Sequence, residues 1–355
     1  MIQIRNLSQT FRDFSLKNID LDIDQGEYFV LLGPTGSGKT LLIESIAGLC
    51  NSKSGRIKID GLDMTGMTPE RRGVGYVPQD YALFRFLSVK ENIEFGMKVN
   101  NYPKKEIDKI LSELSSLFGL DGLLHRNTIT LSGGESQRVA MARTLAVNPK
   151  VLLLDEPLSA LDPRTQQKLS VELKEIHRKL KITTIHVTHN FEEAATLGDR
   201  IGVMDNGSII QVGLPEEIFR KPKSRFVAEF VGDENLFWGV SELNKCDRLS
   251  SVNVSGMNSN ISSTTKKHGL VHVFIRPEDI KLTKYEDKKN PCDCDLNVLE
   301  GSIKEVESRG IFTRVLVDVG VFISIFLTRR SYIEKEIEKP DRVYVMFKAE
   351  DVHVF

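Results

Sequence analysis

The chain has 355 residues, 27% charged and 40% hydrophobic, which is typical of a globular protein long enough for two domains. Its formal net charge of −1 gives no overall basic character, so we expect no nucleic-acid partner. The chain has no apolar run of ~18 residues and no signal-peptide pattern, and its cysteines are too few for a disulfide scaffold, so we expect an intracellular protein with reduced thiols at Cys50, Cys246, Cys292 and Cys294.

The first informative pattern follows the apolar run Tyr28–Leu32, which predicts a buried strand, and precedes a helical spacing of apolar residues that begins at Leu41. It matches G-x-x-x-x-G-K-[ST], the Walker A motif, and consists of Gly33, Pro34, Thr35, Gly36, Ser37, Gly38, Lys39 and Thr40. The glycines allow backbone N–H groups to point at phosphate oxygens at a helix N-terminus. Lys39 can then reach the β- and γ-phosphates of ATP, and the Thr40 hydroxyl can bind Mg²⁺.

The middle of the chain contains a second helix start suited to phosphate. An amphipathic helix is predicted from Lys104 to Leu120, and another over Ser132–Val147. The second begins with a capping serine, two glycines and an acid, which are Ser132, Gly133, Gly134 and Glu135. It has no lysine. If both helix starts cannot serve one nucleotide within a monomer, two chains must face each other head to tail.

Polar residues follow three further predicted strands. Asp155 and Glu156 end the apolar run that starts at Val151, where Asp155 can hold Mg²⁺ and Glu156 can polarise the attacking water; helix capping is the alternative. Gln79 can contact both the metal and the water. His189 can bond the γ-phosphate, although a lone histidine is more often structural. Strands alternate with helices up to Met204, which predicts a parallel sheet buried on both faces.

The pattern changes beyond Phe237, where short strands dominate and predict a small β-barrel or sandwich. The Ser/Asn/Gly-rich stretch 250–265 is predicted to be an exposed loop. We therefore predict one domain over residues 1–232 and a second, all-β domain over residues 233–355.

The order of these motifs resembles the ATP-binding subunit of ABC transporters. That resemblance implies an α/β fold of the ABC-type P-loop NTPase kind with a helical subdomain at about 88–147. It also implies that Phe11 stacks on adenine, that Ser132–Glu135 close on ATP held by the partner, and that Asp162 links the two sites of a homodimer. Two integral-membrane permease subunits and an extracytoplasmic anion-binding protein would complete the transporter, with this chain peripheral at the cytoplasmic face of the membrane.

The C-terminal part, with Arg276–Ile280, resembles the OB/TOBE/Mop-like accessory domain of importer ATPases. Residues 328–331 and 347–352 are similar to the molybdate/tungstate branch, and the candidate oxyanion donors are Thr328, Arg330, Ser331 and Lys348. A solvated basic hairpin is the alternative. Residues 294–297 depart from the family's Ser-x-Arg-Asn loop, so we predict weak or absent oxyanion regulation.

The expected function is an importer ATPase for molybdate or tungstate. One alternative is an importer for sulfate, ferric ion, polyamine or sugar. The other is a soluble ABC ATPase that takes no part in transport.

Overall fold

The computed structural model describes residues 2–50, 53–232, 234–243, 249–285, 295–335 and 341–355. The chain divides into two compact units, Met1–Ile218 and Phe219–Phe355. The predicted domain boundary at residue 232 stays a prediction. Cys246, Cys292 and Cys294 lie outside the described residues, so the prediction made from Cys294 in the oxyanion loop does too. Among the helices that are described, none is long and apolar enough to cross a membrane.

The first unit alternates strands and helices along most of its length. Its strands are β1 (Ile2–Phe11), β2 (Phe14–Ile23), β3 (Tyr28–Leu32), β4 (Ser54–Ile59), β5 (Leu62–Asp63), β6 (Val74–Val77), β7 (Val151–Asp155), β8 (Thr183–Thr188), β9 (Arg200–Asp205) and β10 (Ser208–Gly213). Its helices are α1 (Lys39–Ala47), α2 (Val89–Val99), α3 (Lys104–Phe118), α4 (Gly133–Leu145), α5 (Pro163–Leu180) and α6 (Phe191–Leu197). Helix α7 (Pro215–Arg220) spans the division between the units.

A central sheet of order β10-β9-β3-β8-β7-β6 organises the first unit. Its strands run parallel except at the β9–β10 hairpin. Every residue of β3, β7 and β8 is buried, as expected for parallel strands covered on both faces. The predicted α/β fold is confirmed. A second sheet of order β2-β1-β4-β5 shares its apolar core with α1 and the central sheet.

Three helices form the region between β6 and β7. Helix α3 buries Ile107, Leu111, Leu114 and Phe118 on one face, which is the spacing that predicted an amphipathic helix. Helices α2, α3 and α4 pack against one another. Helix α4 starts after Ser132, so the second predicted phosphate-type helix start lies in this helical region.

The second unit is built mainly from two antiparallel sheets. Its strands are β11 (Leu236–Leu243), β12 (Ser250–Val254), β13 (Ile261–Ser263), β14 (Gly269–Ile275), β15 (Lys281–Lys284), β16 (Leu296–Arg309), β17 (Phe312–Asp318), β18 (Phe322–Thr328), β19 (Arg342–Lys348) and β20 (Val352–Val354). Its helices are α8 (Arg225–Gly232) and α9 (Arg329–Glu334). The sheet orders are β13-β12-β11-β14-β20 and β15-β19-β16-β17-β18, and one apolar core joins them. The predicted all-β C-terminal fold is confirmed.

One sequence-based prediction in this unit was wrong. The stretch 250–265 was predicted to be an exposed loop, but it contains β12 and β13. Val252, Val254 and Ile261 are almost fully buried, while Ser251 and Asn253 point outward. This alternation stabilises the strands because one face enters the core, and the many serines had masked it.

Candidate nucleotide-binding site

The phosphate loop joins the end of β3 to the start of α1, with Gly38 as the helix N-cap. Gly38 has φ +101°, and a Cβ at this position would lie 2.6 Å from the Phe14 ring. A Cβ at Gly33 would collide with the carbonyl oxygen of Met204. Both positions therefore require glycine, for backbone conformation or for close approach.

The rest of the loop is held by main-chain bonds. The Ser37 N–H donates to the Pro34 carbonyl at 3.2 Å, and the Ser37 carbonyl accepts from the Gly207 N–H at 3.0 Å. Thr35 and Gly36 are exposed, and Gly36 has φ +82°. The loop thus has a fixed base and an exposed rim, as a phosphate-binding turn requires.

Lys39 is directed into this loop. Its side chain is buried, and Nζ donates to the carbonyl oxygens of Gly33 and Pro34 at 2.9 Å each. Burial lowers the pKa of Lys39, and the nearby charges of Glu156 and Asp155 oppose that shift. The ammonium group is consequently held inside the loop that is predicted to surround phosphate.

Asp155 is the centre of the predicted Mg²⁺ site. Its Oδ1 accepts from the Thr40 hydroxyl at 3.1 Å, and its Oδ2 accepts from the Tyr76 hydroxyl at 3.3 Å. Burial raises the pKa of Asp155, and these two hydrogen bonds oppose the shift. A hydroxyl and a carboxylate side by side are hard oxygen donors of the kind that Mg²⁺ prefers, so the residues present fit this ion.

Glu156 forms the second cluster, with the other two predicted catalytic residues. The Gln79 amide donates to Glu156 Oε2 at 3.3 Å, and His189 Nδ1 lies 3.3 Å from Oε1. The Glu156 backbone has φ +44°, and its N–H donates to the Val187 carbonyl at 3.0 Å. A left-handed backbone at a glutamate is uncommon and requires support from its surroundings, which β8 supplies here.

These residues meet because four parallel strands end at one edge of the central sheet. The phosphate loop follows β3, Gln79 follows β6, Asp155 and Glu156 end β7, and His189 follows β8. Ligands bind at such carboxyl ends in open parallel sheets. The structure therefore brings together the predicted phosphate, metal and catalytic residues.

Phe11 lies at the end of β1 and pairs with Phe14, whose ring faces Gly38. Its side chain is 52% exposed, and the guanidinium of Arg12 lies 5.5 Å from the ring centroid. An exposed aromatic ring on the hairpin beside the phosphate loop is available for stacking on a base.

The predicted signature residues lie elsewhere, at the start of α4. One carboxylate oxygen of Glu135 accepts from the Ser132 N–H at 2.7 Å and from the Ser132 hydroxyl at 2.8 Å. These bonds lower the pKa of Glu135 and complete a capping box. A Cβ at Gly133 would lie 2.9 Å from Leu161, and Gly134 faces α5. None of the hydrogen bonds described above joins this helix start to the phosphate loop.

Asp162 is exposed and caps α5. Its Oδ1 accepts from the N–H groups of Arg164 and Thr165, at 3.2 Å each. Since Leu161 contacts the signature glycine, the Asp162 turn lies beside the start of α4. The role of Asp162 in coupling two sites stays a prediction.

The candidate oxyanion donors are separated in the second unit. Thr328 pairs with Phe312, next to the C-terminal end of β16, whereas Lys348 pairs with Leu296 at the N-terminal end. Arg330 forms an ion pair with Glu334, the Ser331 N–H donates to Thr328, and Lys348 binds Glu350. Register places the two groups at opposite ends of one strand within a chain. Oxyanion binding stays a prediction.

Two residues of the site were missed from the sequence. Tyr76 contacts Asp155, and the Ser159 hydroxyl lies 3.5 Å from the Gln79 amide while donating to the Glu156 carbonyl. The available signal for Tyr76 was a hydroxyl in a short apolar strand, three residues before Gln79.

Known proteins with similar sequences are ATP-binding subunits of importers. Residues 16–159 match the ABC transporter family model, and residues 273–355 match the TOBE domain model. The molybdate/tungstate import ATP-binding protein WtpC of Pyrococcus horikoshii is 42% identical over 356 residues, covering 100% of both chains. The spermidine/putrescine import ATP-binding protein PotA of Clostridioides difficile is 36% identical, covering 98% of both chains.

Solved structures agree with these relatives. A dimeric ATP-binding cassette in a post-hydrolysis state with ADP and Pi is 29% identical, with a TM-score of 0.55, and the match covers 61% of this chain and 99% of that one. With its phosphate loop, Asp-Glu strand end and C-terminal TOBE domain, the chain belongs to the ABC transporter family of ATP-binding proteins.

Proposed function

We propose that this chain is the ATP-hydrolysing subunit of an importer for molybdate or tungstate. The observation that carries the ATPase assignment is the meeting of Lys39, Asp155 and Glu156 at one sheet edge. The substrate assignment is supported by 42% identity along the whole length of a molybdate/tungstate relative. A sulfate/thiosulfate relative is 43% identical but matches only 80% of this chain, and the polyamine relative is 36% identical.

The proposed chemistry follows from the charged groups at the carboxyl edge of the central sheet. The loop N–H groups, the α1 N-terminus and Lys39 hold the β- and γ-phosphates. Thr40, Asp155 and Gln79 would hold Mg²⁺, which when bound neutralises charge on the phosphate oxygens. Glu156 accepts a proton from the attacking water as that water displaces ADP from the γ-phosphorus. Gln79 and His189, each 3.3 Å from a different Glu156 oxygen, orient this carboxylate.

The proposed assembly has two copies of this chain and two permease subunits, peripheral at the cytoplasmic face of the membrane. An extracytoplasmic protein would deliver the anion to the permease. The segment Tyr81–Phe86 is our candidate for the permease contact. Phe86 is 81% exposed there and Ile129 is 69% exposed, so the surface after Gln79 offers apolar side chains to a partner.

Reconstitution with a molybdate/tungstate permease and its anion-binding protein tests the proposal. We expect molybdate- or tungstate-loaded binding protein to stimulate ATP hydrolysis, and sulfate or spermidine to have no effect. Lys39→Ala is the control and should remove the stimulated activity. Stimulation by spermidine alone would assign the chain to polyamine import. Co-purification with ribosomes in place of a permease would reject transport.

A further inference from the structure

Tyr76 is placed at the ATP site by β6, the strand that leads to Gln79. Its ring is half-buried and packs against the core of the first unit. The β6–β7 register pairs Tyr76 with Leu153, two residues before Asp155. The backbone therefore fixes the ring, and the hydroxyl emerges where β7 presents its carboxylate.

The Tyr76 hydroxyl is a donor at this position. It donates to Asp155 Oδ2 at 3.3 Å. Thr40 donates to the other oxygen, Oδ1, at 3.1 Å. Each oxygen of Asp155 thus accepts one hydroxyl proton, and rotation of the carboxylate would strain both bonds.

We propose that Tyr76 is a positioning residue for Mg²⁺, which it affects only through Asp155. By fixing one oxygen of Asp155, it keeps the other oxygen beside Thr40, so the two predicted Mg²⁺ ligands stay in one arrangement before the nucleotide binds. Partners that orient a metal ligand commonly change metal affinity about 10–100-fold when they are removed. This inference rests on the proposed ATPase function.

The test is Tyr76→Phe, which keeps the ring and removes the hydroxyl. Its matched control is Tyr28→Phe, because the buried Tyr28 hydroxyl is hydrogen-bonded at 2.7 Å to His186, away from Asp155. Equilibrium binding of a fluorescent ATP analogue is measured in EDTA and over a range of free Mg²⁺. Thermal unfolding of each variant confirms that it is folded.

We expect Tyr76→Phe to bind the analogue in EDTA within about twofold of the unchanged protein, and to need about tenfold more Mg²⁺ for half-saturation. Tyr28→Phe should leave the Mg²⁺ dependence unchanged. Equal Mg²⁺ dependence in Tyr76→Phe and the unchanged protein, or an equal shift in both variants, would overturn the inference.

Asp155→Asn distinguishes failure of the proposed Mg²⁺ site from failure of the role proposed for Tyr76. If it loses the Mg²⁺ response while Tyr76→Phe retains all of it, the proposed Mg²⁺ site stands and the role of Tyr76 fails. If Asp155→Asn itself responds to Mg²⁺ as the unchanged protein does, the proposed Mg²⁺ site fails.

Discussion

Glu156 occupies a position that only its neighbours make stable. Its left-handed backbone costs roughly 1–3 kcal/mol at a non-glycine residue, and the bond from its N–H to Val187 holds it in place. Gln79 and His189 then approach its two oxygens from other strand ends. The carboxylate is thereby directed to the space beyond the sheet edge, where we propose that water attacks.

Glu156→Gln tests this role. The amide keeps the size of the side chain but cannot accept the proton, so we expect turnover to fall by about 10²–10⁴. MgATP binding should remain, and an ATP-bound dimer should accumulate. ATP hydrolysis by the reconstituted transporter is the measurement. Glu192→Gln, on the exposed first turn of α6, is the control. Near-full activity of Glu156→Gln would remove Glu156 from catalysis.

The sequence predicted most residues of this cluster, because each follows a stretch that is predicted to be a strand. Asp155 and Glu156 were predictable from their place after Leu154, and Lys39 from the glycine spacing. Tyr76 was not, because a tyrosine in a strand is usually core and its partner is 79 residues away. Only the β6–β7 register reveals that contact.

At the scale of elements, α1 depends on a buried arginine. Arg72 is 2% exposed, and its guanidinium donates to the carbonyls of Ser45 and Ile46, in the last turn of α1. It also donates to the carbonyls of Thr65 and Met67. These bonds satisfy carbonyl acceptors at the C-terminus of α1. The positive charge of Arg72 also interacts favourably with the negative end of the helix dipole.

We expect Arg72→Met to lower the free energy of unfolding by about 3 kcal/mol, because several buried carbonyls lose a charged donor. Urea unfolding measures the loss. Arg71→Met is the matched control, since Arg71 is exposed and should change stability by less than about 0.5 kcal/mol. Equal effects of the two substitutions would show that the contacts of Arg72 do not stabilise α1.

Elements with a strong apolar pattern were the most predictable. Strand β3 and the first four residues of β7 are continuous apolar runs, and α3 has a clear amphipathic spacing. The pair β12–β13 was missed because its core positions include serine. Ser250 and Ser263 are buried, and the Ser250 hydroxyl donates to the Ser263 carbonyl at 3.2 Å. Such a strand depends on tertiary hydrogen bonds that local composition does not encode.

At the scale of the whole molecule, one chain has two phosphate-type helix starts in different places. The start of α1 lies at the edge of the central sheet, while the start of α4 lies in the helical region beside Leu161. Ser132 is exposed, so its hydroxyl and N–H are available to exchange Glu135 for a ligand. Both observations support a site that two chains share head to tail.

Mixing experiments distinguish a shared site from one contained in a single chain. All chains carry Glu156→Gln, so that bound MgATP is retained and can be measured after rapid gel filtration. One mixture combines Lys39→Ala with Ser132→Arg chains. The other combines otherwise unchanged chains with the Lys39→Ala/Ser132→Arg double variant. Random pairing makes about half of the dimers mixed in each case.

For shared sites, a mixed dimer of the two single variants has one complete site, formed by Lys39 of one chain and Ser132 of the other. A mixed dimer that contains the double variant has none. Both mixtures should therefore retain about a quarter of the full MgATP, the second only through its unchanged dimers. For sites within one chain, the first mixture would retain almost none and the second about half. That result would reject the head-to-tail arrangement, since Ser132 would then serve the nucleotide bound by its own Lys39.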